Sequence, residues 1–243
     1  MITIYSIPRD PVGIFDELQS LAVRSWLALE PKPQVILIGN KLVEQWAKKF
    51  EVLYVPSVCD DFGTPYILPA IQDAEALAHH KLCGWFNTDN ILLNDFYPGV
   101  KKVAEKFDRF VAVGQRTNLD INFEIRRFDG RLKEYARKYG ELFTSYGIDF
   151  FVYQGVSLTD GFPEDFLVGR NSYDNWLVRR YVYSDIPLVD LTPEVMVIHA
   201  NHPPQQKATE QMVANRKILG EDHAYGTHHA DFRLTAQGVQ RRH

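Results

Sequence analysis

The sequence predicts an α/β protein in which a mostly parallel sheet is flanked by helices on both faces. Two observations lead to this class, and a third bears on the number of domains. Short, mainly apolar runs alternate with longer segments whose apolar residues have helical spacing, in the order strand, helix, strand, helix, strand. The run at 35–38 is apolar at every position and the others are largely apolar, which is typical of strands covered on both sides. Neither internal repeats nor a Gly/Ser-rich linker divides the chain, so one domain is expected.

The first half of the chain gives the clearest pattern. A β-rich run stops at Pro8, and a helical pattern ends at Pro31, since proline does not continue either element. A second apolar run stops at Gly39-Asn40 and is followed by an amphipathic helix. The elements predicted here are strands at 2–7, 35–38 and 52–55, and helices at 14–29 and 41–50.

Beyond a loop at 56–65 the alternation continues less regularly. Ser172 is a candidate cap for one late helix, and Gly220 closes the last one. Residues 117–128 have no clear period and are expected to be mobile. The predicted elements are helices at 66–80, 98–107, 129–143, from 172 and at 206–219, and strands at 82–86, 109–113, 150–153 and 195–198.

Composition excludes several classes of protein. The formal charge is −4 and the pI about 6.1, so no overall basic field attracts nucleic acid. Two cysteines cannot form a disulfide framework, and no apolar stretch approaches the ~20 residues that span a bilayer. A cytoplasmic protein, or one in a host cytoplasm, is therefore expected. Residues 1–220 are predicted to form the domain, and 221–243 a polar, poorly packed tail with four of the eight histidines.

The central stretch, residues 82–93, is an apolar run interrupted by Asn87-Thr88-Asp89-Asn90. A buried strand rarely ends in four polar residues unless its tip faces a cleft. The oxygens of Asn87 and Asp89 are two positions apart and can converge on a hard cation. The alternative is a strand-to-helix turn in which these side chains bond to nearby backbone.

Other strand ends also carry polar residues, among them Arg9, Asn40, and His199 with His202. A carboxylate and an imidazole from distant strand ends could share one cation. Imidazole is a softer ligand than Mg²⁺ usually recruits, which favours Mn²⁺. The alternative is that these histidines are ordinary hydrogen-bonded residues.

Several further side chains are candidates with a plain structural alternative. Asp174 lies at a helix start, where the helix dipole alone favours an acid. Arg170 could pair with an anion, and Arg24 could contact phosphates or simply be solvated. Phe62, Tyr173 and Trp176 could stack on a base or sugar, although the spacing of Trp176 favours the core. The pair His228-His229 lies in the polar tail without a spaced carboxylate and is not taken as a metal site.

In order, these motifs resemble those of nucleotide-diphosphosugar transferases with the GT-A-type, Rossmann-like fold, especially short stand-alone members from microbes and their phages. The resemblance runs from about residue 2 to residue 219. It rests on six matching segments: Ala22-Val23-Arg24-Ser25-Trp26, Phe62-Gly63-Thr64-Pro65, Phe86-Asn87-Thr88-Asp89, Val113-Gly114-Gln115-Arg116, Gly169-Arg170 with Tyr173-Asp174-Asn175-Trp176-Leu177, and His199 with Asn201-His202.

The resemblance implies a single GT-A-like catalytic domain at 1–220 that is a metal-dependent glycosyltransferase, with hexosyl transfer expected. The donor would be a nucleotide diphosphate sugar, most often a UDP-sugar, and the acceptor a hydroxyl group. Asp89 would match the second aspartate of the family's Asp-X-Asp motif, whose first position is Asn87 here, and His199 or His202 the metal-ligating histidine. Asp174 would match the acid facing the acceptor. The donor would be bound by Ser6, Ile7, Pro8, Arg9, Asn40, Gly63, Thr64, Asn87, Thr88, Arg116 and Arg170.

Two other functions fit parts of the pattern. A metal-dependent phosphoester hydrolase could use Asp89, His199 and His202 without any sugar acceptor. A non-catalytic sugar-nucleotide-binding module would bind donor without turnover. A nucleotidyltransferase is disfavoured because residues 6–11 do not form a Gly-rich basic phosphate loop. The sequence does not choose between inversion and retention of the sugar's configuration.

Overall fold

A computed structural model gives the fold and describes residues 1–170, 173–203, 209–220 and 225–242. Within these ranges the helices are α1 (Ile14–Leu27), α2 (Lys41–Lys49), α3 (Ile67–Leu77), α4 (Phe96–Lys106), α5 (Gly130–Tyr139), α6 (Tyr173–Val182) and α7 (Thr209–Leu219), with a 3-10 turn at Thr227–His229. The strands are β1 (Ile2–Ser6), β2 (Gln34–Gly39), β3 (Leu53–Pro56), β4 (Leu82–Phe86), β5 (Asn90–Leu92), β6 (Phe110–Leu119), β7 (Glu141–Leu142), β8 (Ile148–Gln154), β9 (Leu188–Asp190), β10 (Val197–Ala200), β11 (Phe232–Thr235) and β12 (Gly238–Arg241).

The main sheet has the strand order β12-β11-β9-β6-β8-β4-β1-β2-β3. Strands β3, β2, β1 and β4 are parallel neighbours, as are β6, β9 and β11. Strand β8 runs antiparallel to both β4 and β6. The outer part of β6 pairs with β10, which also pairs with β5. The predicted mostly parallel sheet is confirmed, and β8 is its main exception.

Helices cover both faces of the sheet because alternate strand residues point to opposite sides. On one face Ile2 and Ile4 pack with residues of α1, α2 and α4. On the other, Tyr5 packs with residues of α3 and α6. A smaller cluster joins α1 to α5, β5 and β10. The predicted coverage of both faces is therefore also confirmed.

The polar end of the chain differs from the expectation. The sequence predicts poor packing for residues 221–243, and this prediction is wrong for the described part, 225–242. Strand β11 pairs with β9 and β12 with β11, so this segment extends the main sheet. Leu234 is fully buried there, and Arg242 pairs with the buried carboxylate of Asp190 at 2.6 Å. A short edge hairpin has one solvated face, which gives it the composition of a loop.

Other differences are local. The helix predicted at 129–143 ends at Tyr139, because Gly140 and a short strand follow it. Residues 117–119, predicted to belong to a mobile segment, continue β6 and pair with β10. The proposed cap Ser172 and the helix start at 206–208 lie outside the described residues. Within the part of the chain that the structure describes, no helix is long and apolar enough to cross a membrane.

Candidate active site

A cavity of about 1120 Å³ opens at the edge of the sheet where the parallel strands end. Its wall includes the segments that follow β1, β2, β3 and β4, as well as the beginning of β8. Ligands of open α/β sheets bind outside the carboxyl ends of the strands. All but one of the predicted site residues line this cavity: Ile7, Pro8, Arg9, Asn40, Gly63, Thr64, Asn87, Thr88, Asp89, Arg116, Arg170, Asp174, His199 and His202.

Ser6 is the exception, and its predicted contact with a donor is corrected. Its side chain is fully buried, and its hydroxyl donates to the carbonyl of Phe86 at 2.6 Å. The same hydroxyl lies 2.5 Å from that of Thr88. Ser6 therefore supports the turn after β4 from behind the cavity.

Asp89, His199 and His202 form a compact cluster in the cavity. Antiparallel pairing sets Asn90 of β5 opposite His199 of β10, which brings the preceding Asp89 beside the end of β10. The Asp89 carboxylate lies 3.4 Å from Nε2 of His199 and 3.5 Å from Nε2 of His202. One ligand atom from each of the three residues lies within 4.8 Å of the others. Strand register thus brings His199 beside the aspartate, and His202 lies in the segment that follows β10.

The hydrogen bonding of these side chains suits the binding of a divalent cation. The second carboxylate oxygen of Asp89, Oδ1, is buried and has no protein partner within the described structure. His202 Nδ1 lies 3.0 Å from the carbonyl oxygen of Pro203, which can accept only from a protonated nitrogen. This contact orients the imidazole so that Nε2 points at Asp89, from where the neutral ring could bind a cation beside that carboxylate. One carboxylate and two imidazoles suit Mn²⁺ better than Mg²⁺.

The same cluster keeps Asp89 ionised. Burial alone would raise the pKa of this carboxyl, but hydrogen bonds from His199 and His202 outweigh it and hold the pKa well below its ordinary value. For His202, the hydrogen bond to Asp89 raises the pKa and burial opposes this. An ionised carboxylate is the form that binds a cation.

Asp149 is a site residue that sequence reasoning missed. It is buried, and its carboxylate accepts from the Asn87 side-chain amide at 2.9 Å and from the Arg116 guanidinium at 2.5 Å. The Asp149 main-chain carbonyl also accepts from the backbone N–H of Asn87 at 2.8 Å. Arg116 lies 4.2 Å from the Phe143 ring centroid, which further fixes it. Asp149 therefore holds the turn before Asp89 to the wall of the cavity.

Asp174 lies in the first turn of α6 and is partly buried. Burial raises its pKa to about 6, and the nearby charge of Asp149 acts in the same direction. Backbone N–H groups of Asn175 and Ile148 oppose the rise. A carboxyl with this pKa changes charge just below neutral pH, as a general base does.

Three arginines line the cavity: Arg9, Arg116 and Arg170. Arg9 lies 5.1 Å from the ring centroid of Phe15, and its Nη1 is buried without a partner among the described residues. Gln19 fixes the Arg9 backbone by accepting from its N–H at 2.8 Å and donating to its carbonyl at 3.1 Å. Burial lowers the Arg9 pKa, Asp89 raises it, and the charge of Arg170 lowers it further. Such a desolvated guanidinium is suited to an anionic ligand.

Other candidates have different positions. Asn40 lines the cavity but caps α2, where its side-chain oxygen accepts from the backbone of Leu42 at 2.9 Å. Arg24 and Phe62 are outside the cavity wall, and Phe62 is 81% exposed. Trp176 packs against aromatic residues of the core, whereas Tyr173 lines the cavity.

Neither protein-family models nor curated proteins give a match to this sequence. Comparison with solved structures does give matches. A fragment of S. aureus TarS, residues 1–349 in complex with UDP-GlcNAc, has a TM-score of 0.60 at 8% identity, over 90% of this chain and 65% of the fragment. The same fragment in complex with UDP has a TM-score of 0.53 at 10% identity, over 83% of this chain and 61% of the fragment. This chain thus spans less than two thirds of the matched fragment. It has the GT-A fold that its sequence predicts.

Proposed function

We propose that this chain is a metal-dependent glycosyltransferase that moves a sugar from a nucleotide diphosphate donor, a UDP-sugar, to an acceptor hydroxyl. The observation that carries the proposal is the composition of one cavity: Asp89 with two imidazoles, three arginines, and a carboxyl with a pKa of about 6. These are the groups needed to bind a diphosphate through a cation and to accept a proton. The bound UDP-GlcNAc and UDP of the matched TarS structures support the choice of donor.

Asp89, His199 and His202 would hold Mn²⁺, with Mg²⁺ as the alternative. Such a cation, when bound, would stabilise the negative charge that develops on the diphosphate leaving group. The protein's own part is to present three ligand atoms within 4.8 Å of one another and to keep Asp89 ionised. The buried Oδ1 of Asp89 adds a further oxygen directed at no protein group in the described structure.

The donor would be oriented by the walls around this cluster. Arg9 and Arg170 would pair with phosphate oxygens through charge-assisted hydrogen bonds from their guanidinium groups. Asn87 commits its amide N–H to Asp149, so its side-chain oxygen remains to accept from a sugar hydroxyl. Ile7, Pro8, Asn40, Gly63, Thr64, Thr88 and Arg116 would complete the donor site.

Asp174 would act on the acceptor. In an inverting reaction its carboxylate would take the proton from the acceptor hydroxyl as the new glycosidic bond forms. Its pKa of about 6 leaves it mostly ionised at neutral pH while keeping it basic enough to accept that proton. In a retaining reaction the same carboxylate would orient or support the donor sugar.

The test is titration of UDP into the protein with and without Mn²⁺, with binding measured by calorimetry or thermal shift. We expect Mn²⁺ to tighten UDP binding in the wild type, and Asp89→Ala to abolish that gain because the cluster loses its only carboxylate. Asp73→Ala is the matched control, since Asp73 is exposed on α3. Equal metal dependence in the Asp89 variant would refute the proposed site.

Turnover then separates the alternatives. Incubation with UDP-sugars and a panel of acceptors should give product only when an acceptor is present. Rapid hydrolysis of phosphoesters without acceptor would favour the hydrolase. Donor binding without turnover on any acceptor would favour the binding module.

A further inference from the structure

Helix α7 packs on the domain through an unusual face. Its buried residues are Gln211, Asn215 and Leu219, which lie four positions apart on one stripe. Two of the three have amide side chains. Hydrogen bonds therefore hold α7 to the domain where apolar contacts usually would. Buried amides require partners. The partners of this stripe lie in two loops that line the cavity.

Gln211 uses both ends of its side chain. Its carbonyl oxygen accepts from Arg170 Nε at 2.7 Å and from Arg170 Nη2 at 2.5 Å. Its amide nitrogen donates to the Asp60 carboxylate at 2.5 Å and to the Thr64 hydroxyl at 2.9 Å. Arg170 Nη2 also lies 3.3 Å from the Thr64 hydroxyl. One side chain thus joins the Arg170 guanidinium to the loop that contains Thr64.

Both loops are fixed by other contacts. The Asp60 carboxylate accepts from the backbone of Phe62 at 3.0 Å and of Thr64 at 2.8 Å, so it shapes the turn that presents Thr64. Asn215 accepts from the backbone N–H of Leu167 at 3.1 Å and donates to its carbonyl at 3.0 Å. The backbone before Arg170 is thereby held while Gln211 holds its guanidinium.

We propose that Gln211 is a positioning residue that fixes Arg170 and Thr64 to receive the diphosphate of the donor. The inference rests on the proposed function, because it takes the diphosphate as the anion of this cavity. Gln211 itself is not among the residues that line the cavity. It acts through Arg170, whose Nε and Nη2 both donate to it. Among the described residues Nη1 has no hydrogen-bond partner, so Nη1 is the guanidinium nitrogen available to a ligand.

The expected effect follows from the freedom that Gln211 removes. An arginine that is already held in place loses less rotamer entropy when an anion binds. Releasing it should therefore weaken UDP binding by about tenfold, the effect of immobilising one rotamer-rich side chain. A ligand without phosphates should be unaffected, because it makes no use of the guanidinium.

The experiment titrates UDP and uridine, each with Mn²⁺, into the wild type and Gln211→Met, with uridine followed by ligand-observed NMR. We expect Gln211→Met to weaken UDP about tenfold and to leave uridine unchanged. Val213→Ala is the control on the same helix, since Val213 is 60% exposed, and it should match the wild type. If the methionine variant folds poorly, Gln211→Asn serves instead, because its side chain keeps the amide but is one methylene shorter. It should likewise weaken UDP binding and leave uridine binding unchanged.

A double-mutant cycle separates positioning from general stability. In an Arg170→Ala background, Gln211→Met should change UDP affinity less than twofold, because the group it positions is gone. An equal additional loss there, an equal loss for UDP and uridine, or unchanged UDP binding in both Gln211 variants would overturn the inference. A wild type that binds neither UDP nor uridine would instead overturn the proposed function.

Discussion

Replacing Asp174 by asparagine should make the protein more stable and less active at the same time. The carboxyl group is partly buried, and burial raises its pKa from an ordinary value of 3.8 to about 6. Ionisation of this group is therefore unfavourable in the folded protein compared with the unfolded chain. Asparagine has nearly the same shape, carries no charge, and can still accept the nearby backbone N–H groups.

The magnitude follows from the pKa. A change from 3.8 to about 6 corresponds to about 3 kcal/mol, which is an upper bound. Because Asp174 is partly exposed and keeps backbone donors, we expect Asp174→Asn to raise the free energy of unfolding by about 1–2 kcal/mol at pH 8. Between pH 4 and 6 the folded protein holds a proton that the unfolded chain has released. The advantage of the variant should therefore be absent below pH 4, grow between pH 4 and 6, and stay constant above.

The assay is urea unfolding of both proteins at several pH values from 4.5 to 8, alongside turnover with a UDP-sugar. The wild-type kcat should rise as pH increases through about 6 and then level, whereas the variant should lose about 100-fold or more in kcat with little change in UDP affinity. A variant that is no more stable at pH 8, or whose advantage persists unchanged at pH 4.5, would refute the reasoning about Asp174. Equal losses in kcat and donor affinity would refute its role as base.

Two further substitutions test one contact beside the cavity and one that holds the C-terminal segment to the sheet. Asp149→Ala releases the Asn87 amide and leaves Arg116 without its carboxylate. UDP affinity should therefore fall about tenfold, or by about 1.4 kcal/mol, and unchanged affinity in calorimetry would contradict this. Asp190→Asn removes the charge partner of Arg242 and should lower the free energy of unfolding by about 1–3 kcal/mol while leaving UDP affinity unchanged. A loss of UDP affinity in the stably folded Asp190 variant would mean that this pair acts on the cavity.

Much of the fold could be predicted because apolar strands and amphipathic helices have distinct periods. Runs such as 35–38 are apolar at every position, and β2 is indeed buried almost throughout. The edge hairpin β11–β12 gave no such signal. Only Leu234 of its eight residues is buried, so the pattern is that of a polar loop, and its strand identity depends on the neighbouring edge of β9.

The candidate site was predictable where it lies at the ends of parallel strands. Asp89 and His199 stand at interruptions of apolar runs, and the structure brings them together. Asp149 escaped the same reasoning because β8 is antiparallel, so its beginning, not its end, meets the cavity. Strand direction is a property of topology, and the residues around Asp149 do not encode it locally. Gln211 was missed because a glutamine on a helix looks like a solvated residue until its partners are known.

The last described segment also bears on how the protein is made. Gly226 approaches the Ser145 carbonyl so closely that an added Cβ would lie 2.2 Å from it, and Thr227 donates to the same carbonyl at 2.8 Å. The Asn175 side chain, next to Asp174, donates to the Tyr225 carbonyl at 2.6 Å. The wall beside the proposed base is thus braced by residues translated late. On the ribosome, the wall beside Asp174 can therefore be completed only after residues 225–242 have been synthesised.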